Sequence, residues 1–344
     1  MRTVRFGRSG LRVSELALGA WTFGRETDES GAFALLDLFV ERGGNFVDTA
    51  DAYNEGRSEE ILGRWLERRG GRDELVLATK VYGRMGPGPN ELGNSRKHIV
   101  RALDDSLRRL RTDYVDLYQL HVWDPGVALE ETLSTLDGLV RAGKVLHVGA
   151  SNFLGWQLMQ AWALGRIHGW EPFVSVQNKY NLLSRASEWE VLPVCREAGL
   201  VLIPWSPLGG GWLTGKYRRG VTAPIAGTRV AESALPWQPD SWEQRGNERT
   251  WAVVDALVGV AEARDVAPAE VALNWLRAQP DVCAPIVGAR TLEQLEGSLR
   301  SVEWELAPEE VAALDEASAL PAPYPYSFVE QMTRMHDRLG DGAP

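Results

Sequence analysis

A chain of 344 residues, 44% of them hydrophobic and 24% charged, is long enough to bury one large core or two modest ones. Its formal charge of −10 and pI of about 5.2 speak against nucleic acid or an anionic membrane as the main partner, and no apolar run approaches the ~20 residues of a membrane span. Cys195 and Cys283 each lie in an apolar segment and read as buried thiols; with no apolar signal core in MRTVRFGRSGLRVSELALG, a reducing cytoplasm is expected.

In chain order, Thr3 to Phe6 and Leu11 to Val13 alternate around Gly7-Arg8-Ser9-Gly10, which predicts a β-hairpin. Leu16 to Gly19 is a first short buried strand. Ala32 to Arg42 has helical spacing and is stopped by Gly43-Gly44. The unit then repeats. Strands are predicted at Asn45–Asp48, Leu75–Lys80, Val115–His121, Val145–Ser151, Val174–Gln177, Val201–Trp205 and Val282–Val287. Helical patterns separate them at Ser58–Arg68, Ser95–Leu110, Ala128–Ala142, Leu154–His168, Glu188–Glu197 and Thr250–Arg264 with Pro268–Ala278. Unbroken Val/Ile/Leu runs mark strands buried on both faces, and continual βα alternation implies a parallel sheet. Eight such units predict an α/β fold, a (β/α)8 barrel with an N-terminal hairpin. The doubly wound alternative would bring a glycine-rich fingerprint after its first strand, and Gly19-Ala20-Trp21-Thr22-Phe23-Gly24 does not match one. Residues 208–249 form a Gly/Pro/Trp-rich stretch too long for an ordinary connection, and 321–344 form a tail after a last helix at Pro308–Leu320. With no linker or low-complexity segment, the chain reads as one domain.

Four chemically active side chains stand at or just beyond three successive strand ends: Asp48 with Tyr53, then Lys80, then His121. In a closed parallel barrel such ends share one face. There the Lys80 ammonium is expected to lower the pKa of the Tyr53 phenol, with Asp48 holding the lysine charged. His121 can hydrogen-bond the same substrate oxygen. Together these suit protonation of a carbonyl oxygen during reduction, with the hydride brought by a cofactor. Singly, each has a plain structural reading: an interior ion pair, a surface aromatic. Four on consecutive units favour catalysis.

Other motifs fall away. Gly210 to Lys216 fits GxxxxGK, but Tyr217 stands where a P-loop needs Ser or Thr. No paired His or Cys spacing suggests a metal. His98, His168 and His336 read as solvated residues and His147 as a satisfied structural histidine. Of the 14 tryptophans, Trp65, Trp251 and Trp275 read as packing, while Trp21, Trp123 and, less so, Trp212 follow strands and are pocket candidates.

The stretches NFVDTADAYNEGRSEEILG, LATKV, DLYQLHVWD, GASNF, SVQNKYNLL, PWSPLGGGWLTGKY and IVGARTLEQLEGSL, in this order, resemble the aldo-keto reductases over about residues 1 to 320. The resemblance implies an NADP(H)-dependent carbonyl reductase in which Asp48, Tyr53, Lys80 and His121 are the catalytic tetrad and Tyr53 the general acid. By the same resemblance, Ser151, Asn152 and Gln177 hold the nicotinamide carboxamide and Trp205 stacks on its ring. Ser206, Leu208 and Lys216, with Arg229, meet the pyrophosphate. Gly288, Arg290 and Gln294 meet the adenosine 2′-phosphate end. Two positions depart from the family pattern. Gly297-Ser298 replaces a Glu-Asn pair that holds the adenine, which bears on the choice between NADP and NAD. Asn54 replaces a glycine after the tyrosine, and Asn tolerates positive φ.

Two other functions fit the same fold. The WSPL…GKY loop also resembles the potassium-channel β-subunit branch, which implies a nicotinamide-sensing regulatory protein; the intact tetrad favours the enzyme. An enoyl reductase acting on a nucleotide-linked deoxysugar ranks lower, because that version tolerates changes at the histidine position and His121 is retained. A small-molecule carbonyl compound is the expected partner, and the oligomeric state is not legible.

Overall fold

The computed structural model describes residues 1–232 and 240–340; the remainder of the long loop and the end of the tail lie outside the described residues. Strands β1 (Thr3–Arg5) and β2 (Arg12–Ser14) pair antiparallel, with Val4 opposite Val13. The repeating units follow: β3 (Ala17–Gly19), α1 (Glu29–Glu41), β4 (Phe46–Asp48), α2 (Arg57–Arg69), β5 (Val76–Val81), α3 (Arg96–Leu110), β6 (Val115–Leu120), α4 (Leu129–Arg141), β7 (Val145–Ser151), α5 (Gly155–His168), β8 (Phe173–Gln177), α6 (Val191–Ala198) and β9 (Val201–Leu202). Among its described residues the long loop carries two short helices, α7 (Arg229–Glu232) and α8 (Trp242–Arg245). Beyond it come α9 (Glu248–Arg264), α10 (Pro268–Ala278), β10 (Ile286–Val287), α11 (Leu292–Leu299), α12 (Pro308–Ser318) and α13 (Tyr326–Gly340).

Strands β3 to β10 form one eight-stranded parallel sheet in the order β10-β3-β4-β5-β6-β7-β8-β9. The two edges meet: Leu202 donates to the Asp281 carbonyl and Cys283 donates to Leu202, both at 2.8 Å, so the sheet closes on itself. This is the (β/α)8 barrel that the alternation predicts. Helix starts follow their caps. Asp28, Ser95, Asn247 and Thr291 each accept a backbone N–H from the first turn of the helix they precede.

Two apolar layers explain the run composition of the strands. Phe46, Val76, Ala78, Leu117, Val174 and Ile203 point into the barrel, while Val47, Leu77, Tyr118 and Val176 point out against the helices. Phe6 and Val13 of the hairpin join the inner layer, and the Phe6 ring meets Phe46 edge-on at 5.6 Å. The hairpin therefore plugs the N-terminal end of the barrel and leaves the C-terminal end for chemistry.

Several expectations change. The last two strands are shorter than predicted, because the chain turns out after Leu202 and enters late at Ile286. His98 is buried rather than solvated, its Nε2 without a partner, and the Nδ1 of His147 also finds none. Trp212 belongs to the core: it is fully buried and stacks with Tyr217 and Trp242 at 4.6 and 5.4 Å. The tail forms a helix, and at its start Tyr326 donates to Glu190 and faces Trp189. Cys195 and Cys283 are buried free thiols, as expected.

Candidate active site

Parallel strands in register bring their C-terminal ends to one rim. Asp48 ends β4, Lys80 is the penultimate residue of β5, His121 follows β6, Ser151 ends β7 and Gln177 ends β8. Lys80 pairs in register with Gln119, and Ser151 with Gln177. The separation in sequence is erased by the sheet.

The four sequence-predicted groups converge. Lys80, fully buried, donates from Nζ to Asp48 Oδ2 at 2.6 Å, to the Thr49 carbonyl at 2.7 Å and to the Tyr53 hydroxyl at 3.2 Å. The Tyr53 ring packs edge-on against His121, centroids 5.8 Å apart. Asp48 is fixed from its other oxygen by amides that sequence reading did not assign to it: Gln177 donates at 2.8 Å and Gln119 at 3.2 Å. The signal for Gln119 was the period of two, since it lies two residues before His121 and two after the inward-facing Leu117.

The loop that carries Tyr53 has an unusual backbone. Asn54, Glu55 and Gly56 all take positive φ, at 52°, 59° and 87°. Asn54 makes this stable by donating from its side chain to the carbonyls of Trp21 and Phe23 at 3.0 and 2.7 Å. The family's glycine position is thus filled by a residue that tolerates the conformation and bonds in it.

Electrostatics differ from the sequence expectation in one respect. Burial raises the Tyr53 pKa, and this outweighs the lowering by the Lys80 ammonium; the nearby carboxylates of Asp48 and Asp51 add to the rise. The phenol is therefore fully protonated at neutral pH. Burial by itself would lower Lys80, but Asp48 and the Tyr53 oxygen reverse that, and the net shift is upward, so the lysine stays charged. Burial, with the Lys80 charge adding to it, presses His121 down to about 3, so its imidazole is neutral. Asp51, which the sequence did not single out, is wholly buried; burial, with Glu59 next in effect, raises it to about 8.

Around the rim lie groups suited to a dinucleotide. Trp205 is held by its indole N–H on Asn152 Oδ1 at 3.1 Å, and the Asn152 amide donates to the His121 carbonyl and to Ser151 Oγ. Ser151 Oγ in turn donates to the Gln177 carbonyl at 2.8 Å. The half-buried Leu208 leads into Gly209, Gly210 and Gly211, all at positive φ, a tight turn whose N–H groups bond to the Ser206 carbonyl, Ser206 Oγ and the Leu208 carbonyl; at Gly211 and at Gly288 a Cβ would meet nothing within 4 Å, so a ligand can approach the backbone closely there. Ser206 Oγ donates to Asp240 at 3.0 Å, and Asp240 also pairs with Lys179 at 2.6 Å. Lys216 is exposed. Gln294 Oε1 accepts from the Arg290 backbone N–H just ahead of α11, whose cap is Thr291. An aromatic plate, amides with both donor and acceptor, a glycine-rich turn and a guanidinium at a helix start fit a nicotinamide dinucleotide. At the departures on α11, Gly297 offers no side chain and the Ser298 hydroxyl returns to the Gln294 carbonyl, so neither reaches outward.

The tryptophan candidates separate. Trp123 packs edge-on against Phe153 and Trp156, each at 5.4 Å, beside the His121 end of the rim. Trp21 lies under the guanidiniums of Arg229 and Arg25, at 4.5 and 5.3 Å, on the side of Arg290. No helix among the described residues is long and apolar enough to cross a membrane.

Comparison with known proteins adds to the geometry. Residues 15–319 match the family described as aldo/keto reductase. The chain is 39% identical to the oxidoreductase YrpG of Bacillus subtilis (strain 168), over 92% of this chain and 95% of that protein. It is 35% identical to protein Tas of Escherichia coli (strain K12), over 94% of this chain and all of that one. It is 34% identical to an aryl-alcohol dehydrogenase (NADP+) of Phanerodontia chrysosporium, over 92% of this chain and 86% of the relative.

Proposed function

Since this chain belongs to the aldo/keto reductase family and is an oxidoreductase, we propose that it reduces an aldehyde or ketone with NADPH, using Tyr53 as general acid. The observation that carries this reading is the 3.2 Å contact of the buried Lys80 ammonium with the Tyr53 hydroxyl. When bound, the nicotinamide supplies hydride to the carbonyl carbon. The chain's residues handle the oxygen. Neutral His121 can donate a hydrogen bond to it, and the Tyr53 proton moves onto it as negative charge builds there. The phenolate left behind lies against Lys80, whose charge Asp48 and the Thr49 carbonyl keep in place. A raised phenol pKa fits this order: the proton stays on Tyr53 until the substrate oxygen becomes basic.

Ser151, Asn152 and Gln177 are proposed to orient the carboxamide, and Trp205 to stack on the ring. Ser206, Leu208, Lys216 and Arg229 are proposed to meet the pyrophosphate, and Gly288, Arg290 and Gln294 the 2′-phosphate end. A wall of Trp123 and Trp156 beside His121 suits flat substrates, and the name of the Phanerodontia relative points the same way. We therefore place aromatic aldehydes first among substrates, and the protein in a reducing cytoplasm, where its two buried thiols stay free. Tyr53→Phe removes the proton donor and keeps the ring. It should lower carbonyl turnover by roughly 10²-fold or more while NADPH still quenches protein fluorescence with an unchanged Kd. A Tyr53→Phe enzyme with ordinary turnover would assign the proton to another group.

A further inference from the structure

The guanidinium proposed to receive the 2′-phosphate is already in use. Arg290 Nη2 lies 3.2 Å from Glu232 Oε2, on α7 of the long loop, and 3.6 Å from Glu26 Oε1, in the turn after β3. The two carboxylates differ in freedom. The Glu26 side chain is 19% exposed and the Glu232 side chain 53%. The second oxygen of Glu26 is buried with no hydrogen-bond partner. Arg229 and Arg25, both against the Trp21 ring, complete the group, and Arg229 lies within electrostatic reach of both acids and both other arginines. Three positive and two negative side chains thus form one cluster.

We infer that Glu232 and Glu26 set the nucleotide preference: they occupy the guanidinium that a 2′-phosphate needs, so NADPH must displace Glu232, whereas NADH binds with the pair intact. This rests on the proposed placement of the 2′-phosphate at Arg290. A carboxylate and a phosphate cannot share one N–H donor without like-charge repulsion, and Arg is at its best for phosphate when its whole fork is free. Glu232 is the one that yields, because it is half in water on a four-residue helix. Glu26 stays and keeps the site less positive than three arginines would make it. The chain should therefore accept both nucleotides with a modest preference, in place of strong selection for NADPH.

Glu232→Gln tests this, because the side chain is exposed and its loss leaves the barrel core untouched. Titration of protein fluorescence with NADPH and with NADH gives the two Kd values directly, with no turnover needed. The variant should bind NADPH about 3-fold or more tightly, the range of one partly exposed ion pair, with NADH within about 2-fold of the parent. In an Arg290→Ala background the same substitution should give no such gain. An unchanged NADPH Kd, or an equal gain for NADH, overturns the inference. If Arg290→Ala weakens NADPH selectively while Glu232→Gln is silent, only the acidic pair is wrong. If Arg290→Ala weakens both nucleotides alike, the phosphate does not sit there, and the placement fails together with the inference.

Discussion

Asp51 stands three residues beyond Asp48 and two before Tyr53, and it is fully buried with few partners. One oxygen accepts the Ala52 N–H at 2.6 Å and the other has no hydrogen bond. Burial, with the Glu59 charge second, raises its pKa to about 8 from an ordinary value near 4. Glu59 itself is held by Arg109 at 2.7 Å and by the Thr79 hydroxyl, so it is the partnered acid of the two. The sign of the linkage follows: the folded chain holds a proton on Asp51 that the unfolded chain releases above about pH 4. The stability tied to that proton is present below pH 4 and lost progressively as pH rises toward 8. Asp51→Asn should flatten this part of the profile, so that urea midpoints of the variant fall less between pH 5 and 8 than those of the parent. Parallel profiles would mean that Asp51 is ionised in the fold.

At the scale of elements, the described part of the long loop after β9 is folded. Its start is a glycine-rich 3-10 turn, Gly209–Thr214, anchored by Trp212. That indole donates to the Asp240 carbonyl at 3.0 Å and lies among Tyr217, Trp242 and Trp251, so both limbs of the loop are tied to α9. The same Asp240 carries Ser206 and Lys179 on its side chain, which links loop packing to the proposed pyrophosphate turn. Trp212→Ala removes a fully buried ring and should cost about 3–5 kcal/mol locally. Limited proteolysis should then cut within 208–249 far faster than in the parent, with the barrel core still resistant. Equal cleavage rates would show that the aromatic cluster does not hold the loop. The GxxxxGK match in this stretch is a coincidence of glycines: Tyr217 is buried and its hydroxyl bonds to Thr228.

For the whole molecule, cofactor contacts proposed at the ends of strands β7 to β10 mean that one dinucleotide spans half of the eight-stranded barrel's rim. Binding to the folded state alone then stabilises the entire cooperative unit. NADPH at about 100 times its Kd should add roughly 2.7 kcal/mol and raise the Tm by about 4 °C for a protein of this size. Tyr53→Phe, which leaves those contacts in place, should show the same upward shift in a thermal melt. A melt unmoved by saturating NADPH would contradict the proposed cofactor.

Much of this was legible in the chain itself. The period of each segment, the strand-end positions of Asp48, Lys80 and His121, and the phrase around Tyr53 are local properties, and local chemistry dictates them. Helix starts at Ser95 and Thr291 and the tolerance of Asn54 for positive φ belong to the same class. Only the closed sheet decided the rest. It put the Gln119 and Gln177 amides on Asp48, buried Tyr53 enough to raise rather than lower its pKa, closed Asp51 off from the surface, and set Glu232 and Glu26 against Arg290. These are contacts and desolvation between residues tens to hundreds of positions apart, and a pattern read along the chain has no term for either.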